Sequence, residues 1–286
     1  MSKTPRLELF VKGLAFPEAP RWHAGALWLS DFYQRRVLRV TPDGAVETAA
    51  EVPGQPSGLG WLPDGRLLVV SMNDRRLLRQ EGQELVEAAD LSGLAAWPCN
   101  DMLVDGMGRA YIGNFGFDLH ARAPFAATSL LLVTPDGRVA VAADDMHFPN
   151  GMVLTPDGRT LVVAESYGQR LTAFDVAADG TLGRRRVWAQ LQGKGVAPDG
   201  ICLDADGAVW LASPVSRELL RVQEGGEVVE RIATDGQAVA CMLGGDDRRT
   251  LFVLTGRVLV TPQESLAQRS GAVWRTRVAV PGAGLP

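Results

Sequence analysis

Along this chain the apolar residues fall in short runs divided by polar turns, a period that suits buried β-strands better than amphipathic helices. The stretch from Pro149 to Ser166, PNGMVLTPDGRTLVVAES, shows the unit most clearly. Met152-Val153-Leu154 and Thr160 to Ala164 read as paired strands, with a turn at Thr155-Pro156-Asp157-Gly158 between them. Asn150 is out of place in such a unit. It stands at the head of the first strand, although asparagine is depleted from strands because its amide competes for backbone hydrogen bonds.

The pattern recurs as EAPRWHAGALWLSD from Glu18, SGLGWLPDGRLLVVS from Ser57, NDMLVDGMGRAYIGN from Asn100 and DGICLDADGAVWLAS from Asp199, with a weaker copy from Val239. The turn glycines Gly25, Gly65, Gly108, Gly158 and Gly207 fall 40 to 50 residues apart. Units of this length that cannot bury their own apolar faces must stack on copies of themselves. The intervening segments, Arg36 to Val46, Arg75 to Val86, Ser129 to Val141, Arg170 to Val187 and Glu218 to Val229, each read as strand, turn, strand, giving four strands per unit. The last unit has only Gly271 to Val280 to add, and Arg6 to Lys12 is an orphan strand at the start. The expectation is an all-β, six-bladed β-propeller, one domain over 1–286, closed by the N-terminal strand completing the last blade and so removing an open edge. Helix is expected at most as a turn within Ala88 to Trp97.

Composition narrows the partners. Net charge is −4 with a pI near 5.5 and the basic residues are scattered, so no nucleic-acid partner is expected. Arg184-Arg185-Arg186 reads as a solvated outer turn. No apolar run is long enough to span a bilayer and MSKTPRLELF lacks the apolar core of a signal peptide, so no membrane partner is expected and the protein is expected to be soluble and cytoplasmic, as a monomer or weak homo-oligomer. Cys99, Cys202 and Cys241 match no zinc module and read as buried thiols.

Blade symmetry brings the candidate chemistry together. The first strand of each blade lines the central channel, so Glu18, Ser57, Asn100, Asn150 and Asp199, at equivalent places in their repeats, should form one ring at the channel mouth. Two carboxylates and two carboxamides with no obvious Lys or Arg partner would repel one another and resist desolvation unless a cation lies between them. An all-oxygen set suits one hard divalent ion, Ca²⁺ or Mg²⁺ first, with Mn²⁺ or Zn²⁺ as alternatives. The bland reading is a set of strand caps binding channel water. The loops after the second strands should share this face. They include Asn114 to Thr128, a long loop with Phe115, Phe117 and His120 that reads as a substrate lid, and Tyr167. His147, just before Phe148-Pro149-Asn150, is expected over the mouth as well. There is no G-x-S-x-G elbow and no H-E-x-x-H helix.

Glu18 in PEAPRW, Asn100-Asp101 in CNDMLVDGMGRAYIGN, Asn150-Gly151 in PNGMVLTPDGRTLVV and Asp199-Gly200 in PDGICLDADGAVWLA together resemble the regucalcin (senescence marker protein) and gluconolactonase family, over almost the whole chain and in the same order. That resemblance implies a six-bladed propeller holding one divalent cation through Glu18, Asn150 and Asp199. It also implies Asn100 at substrate or metal-bound water, Asp199 as general base, and lactone hydrolysis as the activity. Because a dication weakens a bound carboxylate as a base, His147 and Asp101 are reserve candidates. Sugar-lactone members commonly have an arginine two residues before the Asn-Asp pair; here that place is Pro98. With Asn100, Asp101, Phe115, Phe117, His147 and Tyr167 expected around the substrate, the reading is a lactonase for a cyclic ester less polar than a sugar lactone. The alternatives are a non-catalytic metal-binding or ligand-sensing propeller, an interaction scaffold, or a phosphotriesterase-type hydrolase.

Overall fold

A computed structural model describes residues 6–258 and 260–286. They form six four-stranded antiparallel sheets arranged as the blades of a ring. Blade 4 is typical, with strands Pro149–Leu154, Thr160–Glu165, Arg170–Val176 and Leu182–Gln190 from the axis outward. Blade 6 uses both ends of the chain: Gln237–Gly244, Thr250–Gly256 and Gly271–Arg277 are completed by Glu8–Leu14, which pairs antiparallel with the third strand from Glu8↔Arg275 to Leu14↔Gly271. The ring closes as the orphan strand required.

The burial of each strand follows its distance from the axis. Near the axis a sheet has neighbours on both faces, so Cys99–Val104, Leu67–Ser71 and Val209–Ser213 are buried along their whole length and read as continuous apolar runs. At the rim, Val46–Glu51 is exposed almost throughout. The turns use the sequence TPDG at Thr41, Thr134 and Thr155. Each glycine has positive φ (91°, 83° and 70°) and returns its N–H to the threonine carbonyl.

Three local readings change. Ala88 to Trp97 holds the end of the strand Glu84–Asp90 and a turn, not helix. The helix is Pro262–Gln268, opened by a capping box in which Thr261 Oγ1 accepts from Glu264 N and the Glu264 carboxylate accepts from Thr261 N. Arg184-Arg185-Arg186 lies within the outer strand Leu182–Gln190, where Arg186 pairs with Asp175 and Arg185 reaches the Asp144 and Asp145 carbonyls. No helix among the described residues is long and apolar enough to cross a membrane.

The inner strands carry the feature that shapes the site. In five blades their pairing slips at the ring position: between Glu18 and Arg21, Pro56 and Leu59, Cys99 and Met102, Pro149 and Met152, and Ala238 and Ala240. A bulge inserts a residue that the partner strand does not match and so re-aims side chains. Neighbouring inner strands approach closely there. Gly151 N donates to Asp199 O at 3.2 Å and Gly200 N to Val239 O at 2.9 Å. A Cβ on Gly151 would sit 2.6 Å from Ile201 N, and one on Gly200 2.5 Å from the Ala240 Cβ. Because the obstacle at Gly151 is backbone, Gly151→Ala is expected to cost about 1–3 kcal/mol of stability, read as a lower thermal midpoint.

Candidate active site at the channel mouth

Glu18, Asn100, Asn150 and Asp199 line one cavity at the mouth, together with Phe16, Phe32, Tyr33, Phe115, Phe148 and His120 among others. Blade symmetry thus brings the four ring residues together. Ser57 is buried but is not part of the lining, and its carbonyl accepts from Ser30 Oγ at 2.6 Å.

The two carboxyl groups are electrostatically strained. Burial raises Glu18 well above the usual carboxylate range, and the negative charges of Asp199 and Asp101 add to the effect. Burial likewise pushes Asp199 up to about 8, against the pull of a hydrogen bond from Asn150, with Asp101 adding a further rise. The carboxamides are oriented by their neighbours. Asn150 Nδ2 donates to Ser166 Oγ at 3.2 Å, which in turn donates to Pro198 O at 2.7 Å. Asn100 Nδ2 donates to Pro149 O at 3.4 Å. Among the described residues neither Oδ1 accepts a hydrogen bond, so each remains available as an acceptor.

Beneath the ring lies an arginine that the sequence reading placed nowhere. Arg21 is buried and donates from Nε to Leu59 O at 3.0 Å, from Nη1 to Pro20 O at 2.8 Å, and from Nη2 to Asp101 Oδ1 at 2.6 Å and Met102 O at 2.5 Å. Its partner is therefore Asp101, not Glu18 or Asp199. Asp101, expected at the substrate, is committed to this pair and to Met102 N and does not line the cavity.

Two further placements differ from expectation. The His147 ring packs against Phe125 at 5.1 Å, outside the lining, while the His147 backbone N–H donates to the buried Glu165 carboxylate at 2.7 Å. His120, from the long loop, lines the cavity instead. Phe117 is buried behind the wall, 6.0 Å from Phe148 and 5.1 Å from Tyr167. Phe115 does line the inner cavity, and Tyr167 lines the hollow beside it. Phe148 has φ of 63°, a strained value for a bulky residue, and its carbonyl is held by Ser166 N at 3.1 Å. Such strain is concentrated at functional sites in proteins generally, and here it fixes a ring beside Asn150.

The oxygen donors of Glu18, Asn150 and Asp199 fit a hard cation. Two desolvated carboxylates without a basic partner, plus an amide oxygen, are what a dication would stabilise. Among the described residues no cluster of three His, Cys, Asp or Glu side chains is arranged for metal binding, so any cation here must count carboxamide oxygens among its ligands.

The fold and this mouth define a six-bladed propeller with a polar site at one end of its channel. The chain belongs to the SMP-30/gluconolactonase/LRE-like family, whose pattern matches residues 16–257. It is 30% identical over 278 residues to a 6-deoxy-6-sulfogluconolactonase of Pseudomonas putida, covering 94% of this chain and 93% of that one. A gluconolactonase from Xanthomonas campestris superposes with a TM-score of 0.76 at 25% identity, covering 97% and 90% of the two chains. A calcium-binding regucalcin from Agrobacterium tumefaciens superposes with a TM-score of 0.81 at 22% identity, over 99% and 96%, a likeness of fold.

Proposed function

We propose that the protein is a cation-dependent hydrolase that opens a lactone, with Glu18, Asn150 and Asp199 holding one divalent ion, calcium first among the candidates. The observation that carries this reading is the pairing of two buried carboxyls, both raised well above their ordinary range, with two carboxamide side chains in one cavity. Family membership and the names of the P. putida and X. campestris relatives support the reaction class.

When bound, the ion would supply a Lewis acid that polarises the ester carbonyl and offsets the charge developing on its oxygen. The remaining work falls to the chain. Asp199 is the base: it takes a proton from the attacking water as the new C–O bond forms. It returns that proton to the ring oxygen as the old C–O bond breaks, leaving a hydroxy acid. Asn100 has a second Nδ2 hydrogen for a substrate oxygen, and Phe115, Phe148, Phe16 and Phe32 keep bulk water from the reacting atoms. Asp101 and His147 are less suited to the base role, since one is bound to Arg21 and the other stands outside the lining.

The substrate is a less polar cyclic ester. Pro98 occupies the place where sugar-lactone enzymes of this kind commonly carry an arginine, and aromatic and aliphatic side chains make up most of the wall. A panel of lactones assayed with calcium is expected to show alkyl or aryl lactones turned over about tenfold or more better than gluconolactone. Preference for gluconolactone would overturn the substrate assignment, and turnover of phosphotriesters alone would move the reaction to phosphorus.

A further inference from the structure

The mouth is not one hollow but two, joined at the reacting centre. The inner one, about 120 Å³, lies among Phe16, Phe32, Tyr33 and Phe115. The outer one, about 320 Å³, lies among Ser166, Tyr167, Gln169, Pro198, Pro214 and Val215. Both are bounded by Asn150, Asp199, Phe148, Leu119 and Val258. A substrate whose ester lies against Asp199 and Asn150 therefore has a place to either side.

Size and polarity assign the two sides. The inner hollow is the smaller and is walled by aromatic rings, which suits a compact ring. The outer one is nearly three times larger, and its apolar side chains lie open, with Tyr167 49% and Val215 64% exposed. Phe125, itself 42% exposed, stacks on Tyr167 at 5.4 Å and extends this surface along the long loop. Apolar groups exposed together at the edge of a reactive cavity have a ligand as their natural cover. Charge points the same way: neither hollow has a lysine or arginine among its described lining residues. An anionic group on the substrate would meet Asp199 and Glu18 with no side-chain counter-ion.

We propose that the outer hollow between Tyr167 and Val215 is a subsite for an uncharged alkyl or aryl substituent, making the substrate a lactone that bears one extended apolar arm. This rests on the hydrolase reading for the word lactone, but not for the arm. The polar rim, Ser166 and Gln169, allows a single hydrogen-bonding group near the root of that arm, since Ser166 Oγ already serves Asn150 and Pro198.

The test uses γ-lactams carrying methyl to hexyl groups, which resist hydrolysis, titrated calorimetrically into the purified full chain with calcium present. Affinity is expected to rise about fourfold per methylene until the hollow is filled, and an ω-carboxylate on the longest arm is expected to weaken binding tenfold or more. In Val215→Lys, an exposed position where folding is not at stake, the order should reverse, with the carboxylate-tipped lactam binding better than the alkyl one. Affinity that is flat with chain length, or a native protein that binds the carboxylate-tipped arm as well as the alkyl arm, would overturn the proposal. Chain-length dependence without turnover of any lactone would support the subsite and count against the hydrolase.

Discussion

An Asp199→Asn protein is expected to hydrolyse lactones about a thousandfold more slowly than the native chain, the loss typical of removing a group that moves a proton in the transition state. Two proposed roles, ligand and base, converge on this side chain, and the substitution affects both. Asparagine keeps an oxygen toward the cavity but loses the charge that would hold a dication and the lone pair that would accept water's proton. The geometry around it should survive. Asp199 precedes the short strand Ile201–Leu203, and its backbone is fixed by Asp199 N donating to Ala212 O at 2.9 Å and by its carbonyl accepting from Gly151 N. Kinetics and metal content measured on the same preparation separate the roles. Turnover lost with calcium still bound identifies Asp199 as the base, whereas turnover lost together with calcium makes it chiefly a ligand. A variant that retains both would remove Asp199 from the mechanism.

Stripping the protein with a chelator is expected to abolish hydrolysis, and calcium should restore it. The pH dependence of this effect follows from the carboxyls. Without a cation, Asp199 is pushed up to about 8 and so leans toward the protonated form near neutral pH, and burial shifts Glu18 in the same direction. A cation must displace those protons, so its affinity rises with pH up to about 8, approaching tenfold per unit for each proton released. Calorimetry in buffers of different ionisation enthalpy reads the release directly. Stability of the stripped chain runs in the opposite direction. A carboxyl whose pKa is raised on folding binds more protons in the folded state, so its contribution is fully present below about pH 4 and is lost as the pH rises toward 8. The thermal midpoint of the stripped protein should therefore fall across that window, and saturating calcium should flatten the slope. A midpoint indifferent to both pH and calcium would mean that these carboxyls are not the cation's ligands.

The architecture was legible because it is repeated. Apolar runs, TPDG turns and a period of 40 to 50 residues specify blades without any knowledge of their neighbours, and an orphan strand at each end of the chain implies closure. The ring residues were legible for the same reason: symmetry places equivalent positions together, so Glu18, Asn100, Asn150 and Asp199 could be gathered from register alone. What escaped was whatever breaks strand alternation. The bulge between Glu18 and Arg21 turns an arginine that looks like a surface residue into the buried partner of Asp101. The bulge between Cys99 and Met102 similarly puts Asn100 at the mouth and Asp101 on Arg21. A single sequence carries no mark of where a strand bulges. His147 misses the cavity and His120, on the loop read as a lid, reaches it, because loop conformation and not register decides which imidazole enters. The helix Pro262–Gln268 was too short for a periodic signal, though Thr261-Pro262 with Glu264 carried its capping residues in plain view.

Everything turns on Glu18, Asn150 and Asp199 sharing one ion. Anomalous diffraction from crystals grown with manganese, which the same oxygen donors would accept, tests this most directly. The account predicts one strong peak at the channel mouth within bonding distance of all three side chains. An active protein whose only peak lies elsewhere, or that shows none, would contradict it.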